Sequence, residues 1–105
     1  MVELGHIAAK VRSKNAGPFW LTIDIFCGSQ SVFDHICKHL SNDVVASALG
    51  TNVRDLKRFD IAALHVIKIS VQRPVIQGTQ ADRDMHGAQW GNIIAELQMP
   101  CPTDA

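Results

Sequence analysis

Between Trp20 and Phe26 the chain alternates without a break, with Leu21, Ile23 and Ile25 falling on one side and Thr22 and Asp24 on the other. A period of two marks a strand with one buried face, and such a strand needs a sheet with an apolar layer over it. A second run, Ala62 to Val71, sets His65, Ile67, Ile69 and Val71 against Val66, Lys68 and Ser70, with the β-branched enrichment of a sheet. The residues between the two runs have a different period. Ser29 or Ser31 can cap a helix whose apolar positions Val32, Phe33, Ile36, Cys37 and Leu40 recur at helical spacing, with Asp34, His35, Lys38 and His39 turned outward. Ser41 restarts the pattern through Val44, Val45, Ala48 and Leu49, and Gly50 is a natural stop. Val53 to Ile61 then reads as an edge strand or an irregular extended segment.

The flanks are less regular. Leu4, Ile7, Ala8 and Val11 stand at i, i+3, i+4 and i+7, the spacing of a short helix. Ser13-Lys14-Asn15-Ala16-Gly17-Pro18 follows as a loop, because Gly-Pro forbids continuation of a helix. After Gln72-Arg73-Pro74 no period is sustained until Ile93, Ala95, Leu97 and Met99 alternate as a last strand. A loop of that length inside a small domain is usually functional or disordered. The sequence therefore predicts an α+β domain spanning 1–105, loose from 100 onward. Its expected form is a ferredoxin-like sandwich, a mainly antiparallel four-stranded sheet with helices on one face. At 105 residues and 47% hydrophobic there is material for one core.

Charge narrows the function. Ten Lys and Arg balance ten Asp and Glu, which argues against nucleic acid or an anionic membrane as the main partner. No run approaches the length of a membrane span and the first residues do not form a signal peptide, so the expected location is cytoplasmic. Cys27, Cys37 and Cys101 contain no C-x-x-C pair. They read as reduced thiols, the first two in the core, with no basis for a nucleophilic role.

Polar residues concentrate in two places. In Arg12-Ser13-Lys14-Asn15-Ala16-Gly17, two cations, a hydroxyl, an amide and a glycine suit a carboxylate or phosphate held by charge-assisted hydrogen bonds. The competing reading is a solvated turn, since no P-loop or dinucleotide pattern is present. In the second stretch Arg73 precedes Asp82, Asp84, His86 and Gln89. If extended, Asp82, Asp84 and His86 share a side, where Asp84 can orient His86 as an acid or base. A divalent cation and a purely hydrogen-bonded loop are the alternatives, and no metal or other cofactor is expected. His35 and His39 have no third ligand nearby in sequence and read as a solvent-facing pair.

The strings RSKNAGPFWLTIDIF (12–26) and RPVIQGTQADRDMHGAQ (73–89) resemble the signature stretches of a small uncharacterised domain family. Its members accompany, or are fused to, proteins similar to acyclic terpene utilisation protein A (AtuA). The resemblance covers Leu4 to about Pro100 and is weakest between Cys27 and Leu49. It implies the small subunit of a two-component enzyme whose AtuA-like large subunit acts on a small carboxylate or acyl-CoA. Carried over position by position, it implicates Arg12, Ser13, Lys14, Asn15, Gly17, Asp24, Arg73, Asp84, His86, Gly87 and Gln89. The expectation is lyase/hydratase or isomerase chemistry, with His86 and Asp84 catalytic and Arg12, Ser13, Lys14, Asn15, Gly17, Arg73 and Gln89 binding substrate. A non-catalytic assembly or anion-sensing module is the alternative, and self-association is another way to supply the missing wall of a site.

Overall fold

The computed structural model describes residues 1–15, 20–72 and 87–100, with residues 15 and 87–89 described by their backbone alone. Strand β1 (Val2–Glu3) leads into a one-turn helix α1 (Leu4–Ile7), then β2 (Lys10–Asn15) and β3 (Trp20–Phe26). Helices α2 (Gln30–His39) and α3 (Asn42–Leu49) follow, then β4 (Leu56–Ile61), β5 (Val66–Gln72), α4 (Gly87–Ala95) and β6 (Gln98–Met99). The main sheet is antiparallel throughout, in the order β2-β3-β5-β4, and β1 pairs with β6 in a separate ribbon. The chain thus leaves β3, crosses through α2 and α3 to the far edge, and returns as β5 between them.

Leu21, Ile23 and Ile25 of β3 lie in register with Val71, Ile69 and Ile67 of β5, and all six are fully buried. Phe33, Ile36 and Leu40 from α2, Val45, Ala46 and Leu49 from α3, and Trp90 and Ile94 from α4 join them in one cluster. The helix ends are closed as their sequence predicts. Ser29 Oγ accepts from Val32 N at 3.3 Å and Ser41 Oγ accepts from Val44 N at 3.2 Å. Gly50 sits at φ 72°, which lets Thr51 N donate to Ala46 O at 2.9 Å and Gly50 N donate to Ser47 O at 3.2 Å, a Schellman closure.

Several expectations change. The predicted first helix stops after one turn, because residues from Lys10 onward find a ladder with β3, Lys10 opposite Phe26 through Asn15 opposite Leu21. The stretch Ser13–Asn15 is therefore strand, while residues 16–18 of that predicted loop lie outside the described residues. At the β4–β5 turn, Ala62–Leu64 form a 3-10 turn and His65 is left-handed at φ 54°, so the strand begins at Val66. The predicted strand from Ile93 instead begins as the end of α4, because Trp90 and Ile94 stand at i and i+4 and helical spacing aims them at the core. Only Gln98–Met99 extend, against Val2 and Glu3. Pro100, the first residue of the predicted tail, is tied down, since its carbonyl meets His35 Nε2 at 2.7 Å. A carbonyl can only accept, so Nε2 carries the proton. His35 is accordingly half-buried rather than solvent-facing.

A staple not visible in the sequence holds the helical layer to the edge strand. Arg58 of β4 donates to the carbonyls of Leu40 and Cys37 (3.4 Å) and to Asn42 Oδ1 (3.3 Å), where α2 ends and α3 begins. Its Nε donates to Asp60 Oδ1 at 2.8 Å. A guanidinium with several fixed donors is suited to this, because the last carbonyls of a helix lack intrahelical partners and carry partial negative charge. Among the described residues no helix is long and apolar enough to cross a membrane.

Candidate functional site

All the apolar side chains just named leave the sheet on one side. The opposite face carries Lys10, Arg12 and Lys14 of β2, Trp20, Thr22, Asp24 and Phe26 of β3, Lys68 and Ser70 of β5, and Lys57 and Phe59 of β4. Alternation alone put Thr22 and Asp24 there. Pairing with β2 then brings Arg12 directly opposite Asp24 and Lys14 opposite Thr22.

These side chains surround a small pocket of about 90 Å³ lined by Arg12, Ser13, Lys14, Thr22 and Asp24. Thr22 Oγ1 is buried at the pocket with no hydrogen-bond partner among the described residues, which is costly for a hydroxyl unless something else satisfies it. Among the described residues neither Arg12 nor Lys14 forms an ion pair with Asp24, although register puts Arg12 across from it. The pocket thus presents two cationic donors, a hydroxyl able to donate or accept, and a carboxylate able only to accept when ionised. A volume of that order holds about three waters at ~30 Å³ each, or the carboxylate end of a larger molecule.

The residues singled out from sequence separate into groups. Arg12 and Lys14 are exposed beside the pocket, and Asp24 joins them from β3. Ser13 borders the pocket, but its hydroxyl serves the other side of the strand, accepting from Gly91 N of α4 at 2.6 Å. The fit is close: a Cβ on Gly91 would stand 3.0 Å from that oxygen. Asn15 ends β2 opposite Leu21, and Gln89 lies in the first turn of α4. Gly17, Arg73, Asp82, Asp84 and His86 lie outside the described residues. Gly87 opens α4.

Sequence reasoning missed two features of this face. Thr22 was legible only as a polar residue on the strand's outer side. The second is a stripe in which Lys57 Nζ stands 5.8 Å from the centre of the Trp20 ring, with Phe59 two residues further along β4. Trp20 is 39% exposed and Phe59 52%. Neither is needed by the core, and their pairing depends on β4 reaching the sheet.

Elsewhere the thiols are quiet. Burial, and then the nearby Cys37 and Asp60, push the Cys27 thiol up to about 11. Burial and Asp60 also raise Cys37, against the lowering effect of Arg58. Neither is a thiolate at neutral pH, so neither is poised as a nucleophile. Among the described residues no three His, Cys, Asp or Glu side chains gather closely enough to hold a metal ion.

No curated protein and no solved structure matches the chain. A family model does match, over residues 4–98, and covers both β2 with its pocket and the segment that carries His86. The chain belongs to that family, the domain of unknown function DUF4387.

Proposed function

We propose that this chain is an anion-binding small subunit of a two-component enzyme, working with an AtuA-like large subunit on a small carboxylate or acyl-CoA. The observation that supports it most is the pocket on the open sheet face, where Arg12, Lys14 and the unpartnered Thr22 hydroxyl surround a space that suits one carboxylate. The chemistry in this reading is lyase/hydratase or isomerase type. Arg12, Lys14, Asn15, Arg73 and Gln89 hold the anionic group, and His86, oriented by Asp84, moves a proton next to the carbonyl. Ser13 and Gly17 belong to the same substrate-binding set in this reading. A pocket this small does not enclose a substrate by itself, so the large subunit supplies the remaining wall.

The fold reading belongs with this one. We read β3, the α2–α3 crossover, β4 and the returning β5 as half of a ferredoxin-like sandwich, a reading supported by the strand order β2-β3-β5-β4, with β2 from the N-terminal side in the outer position beside β3. On that reading the order is a circular permutation of the ferredoxin-like one, and among the described residues no helix covers the second sheet face.

The test is an assay of the purified large subunit with acyl-CoA thioesters, alone and with this chain. Turnover should require the wild-type chain and fall at least about tenfold with Arg12→Ala or His86→Ala, a range set by single charge-assisted or proton-transfer contributions. Full turnover without the small chain would overturn the proposal. Turnover that needs the chain but is unmoved by His86→Ala would favour the second reading, an anion-sensing assembly module that shares the same pocket.

A further inference from the structure

The open sheet face has a charge that the whole chain lacks. Among the described residues Lys10, Arg12, Lys14, Lys57 and Lys68 stand on it against one strand carboxylate, Asp24. Half of the chain's ten cations are therefore on one face of one sheet, while carboxylates such as Asp34 on α2 and Asp43 on α3 belong to the helical layer. Two aromatic rings and a lysine lie within the same surface, and both rings are solvent-exposed. Exposed Trp and Phe with an Arg on the same face suit an interface centre, and the lysines around them suit its polar rim.

We infer that this face is the docking surface for an acidic protein surface, with Trp20 and Phe59 as apolar anchors and the cations matched by partner carboxylates. This rests on the small-subunit reading above and names the face through which that subunit meets its partner. A second copy of the chain docked face to face would oppose five cations to five, which charge forbids. A polyanionic strand is disfavoured by the overall neutrality of the molecule and by Asp24 in the middle of the face. An acidic protein surface has carboxylates for the rim and apolar area for the rings. Four strands ~4.8 Å apart and six or seven residues long give a face on the order of 400 Å². That is about half the ~800 Å² per partner of a standard interface, so the complex is a weak and salt-sensitive one. The pocket of Arg12, Lys14, Thr22 and Asp24 lies within the same face, and a docked partner closes it.

The experiment measures binding of this chain to the purified AtuA-like large subunit by titration calorimetry at 50 and 500 mM salt. Wild type should bind, with affinity falling about tenfold or more over that range. Trp20→Ala and the pair Lys57→Glu/Lys68→Glu should each weaken binding by at least about tenfold, with circular dichroism unchanged because all three residues are exposed. Phe59→Ala serves as a second anchor variant should Trp20→Ala unfold. Val44→Glu, on the exposed side of α3, should bind as wild type. Binding that survives the sheet-face variants but is lost in Val44→Glu would overturn the inference and leave the small-subunit reading standing. Absence of any complex would overturn both. Capture of a labelled single-stranded oligonucleotide, lost in the sheet-face variants, would show that the face recognises nucleic acid and overturn the inference as well.

Discussion

Ser13 and Gly91 provide a test of how α4 is held against β2. The Ser13 hydroxyl accepts from the buried Gly91 amide at 2.6 Å, and a Cβ on Gly91 would meet Ser13 Oγ at 3.0 Å, with Ser13 N and Cβ at 3.4 and 3.5 Å. Removing the hydroxyl in Ser13→Ala leaves a buried amide short of its partner, which costs about 1–3 kcal/mol, less where Gly91 falls back on the carbonyl four residues earlier. Adding a methyl in Gly91→Ala crowds the oxygen at a cost of about 1–3 kcal/mol, against which alanine's better helix propensity returns about 1 kcal/mol. Gly91→Ala in the wild-type background is thus expected to cost up to about 2 kcal/mol. In the Ser13→Ala background the 3.0 Å neighbour is gone and only ordinary contacts remain, so the same substitution should be neutral or stabilise by up to about 1 kcal/mol. The sign of one substitution is predicted to change with the presence of one oxygen. Urea unfolding followed by the fluorescence of Trp20 and Trp90, run on all four proteins, measures the coupling directly. Equal effects of Gly91→Ala in both backgrounds would refute the argument.

Three further outcomes follow from the described structure. Arg58→Ala should destabilise by about 2–4 kcal/mol in the same assay, because the carbonyls of Leu40 and Cys37 lose a charged donor together; Arg58→Lys should recover only part of it, and full recovery would show that charge alone matters. Cys27 has a folded pKa above its unfolded value of 9.0, so its contribution to stability is whole below pH 9 and is lost as pH rises through about 11. The chain has no tyrosine to titrate in that window, and Cys27→Ala should flatten the stability profile between pH 9 and 11; an unchanged profile would place the thiol in contact with water. His65→Gly removes the cost of a left-handed non-glycine residue, on the order of 1 kcal/mol, at the loss of a tilted ring contact to Phe33 at 6.3 Å. Its midpoint in urea should stay level or rise, whereas a fall beyond about 1 kcal/mol would assign the ring contact the larger share.

What could be seen without coordinates was local. Alternation in β3 and in the later part of the second run, the serine caps of α2 and α3 and the glycine that ends α3 all depend on neighbours within a few residues. Arg12, Lys14 and Asp24 could be singled out as residues, with Arg12 and Lys14 assigned to an anion-binding loop. β2 was not legible as a strand, because an edge strand with a serine against a helix and cations toward solvent shows no apolar alternation. α4 was misread because Ile93, Ala95, Leu97 and Met99 satisfy a period of two while Trp90 and Ile94 satisfy the helical one, and only packing chooses between them.

The sequence by itself determined that the chain makes an α+β structure with one apolar face on β3 and on β5, since side-chain periodicity is set by backbone geometry. Which of the two sheet faces the helices cover was decided only in the tertiary structure, by where α2, α3 and α4 return to the sheet. That choice placed Arg12 across from Asp24 and Trp20 beside Lys57, pairs separated by 12 and 37 positions in the chain. It also turned a neutral composition into a basic, aromatic surface, because charge counted along a sequence says nothing about the side on which it collects.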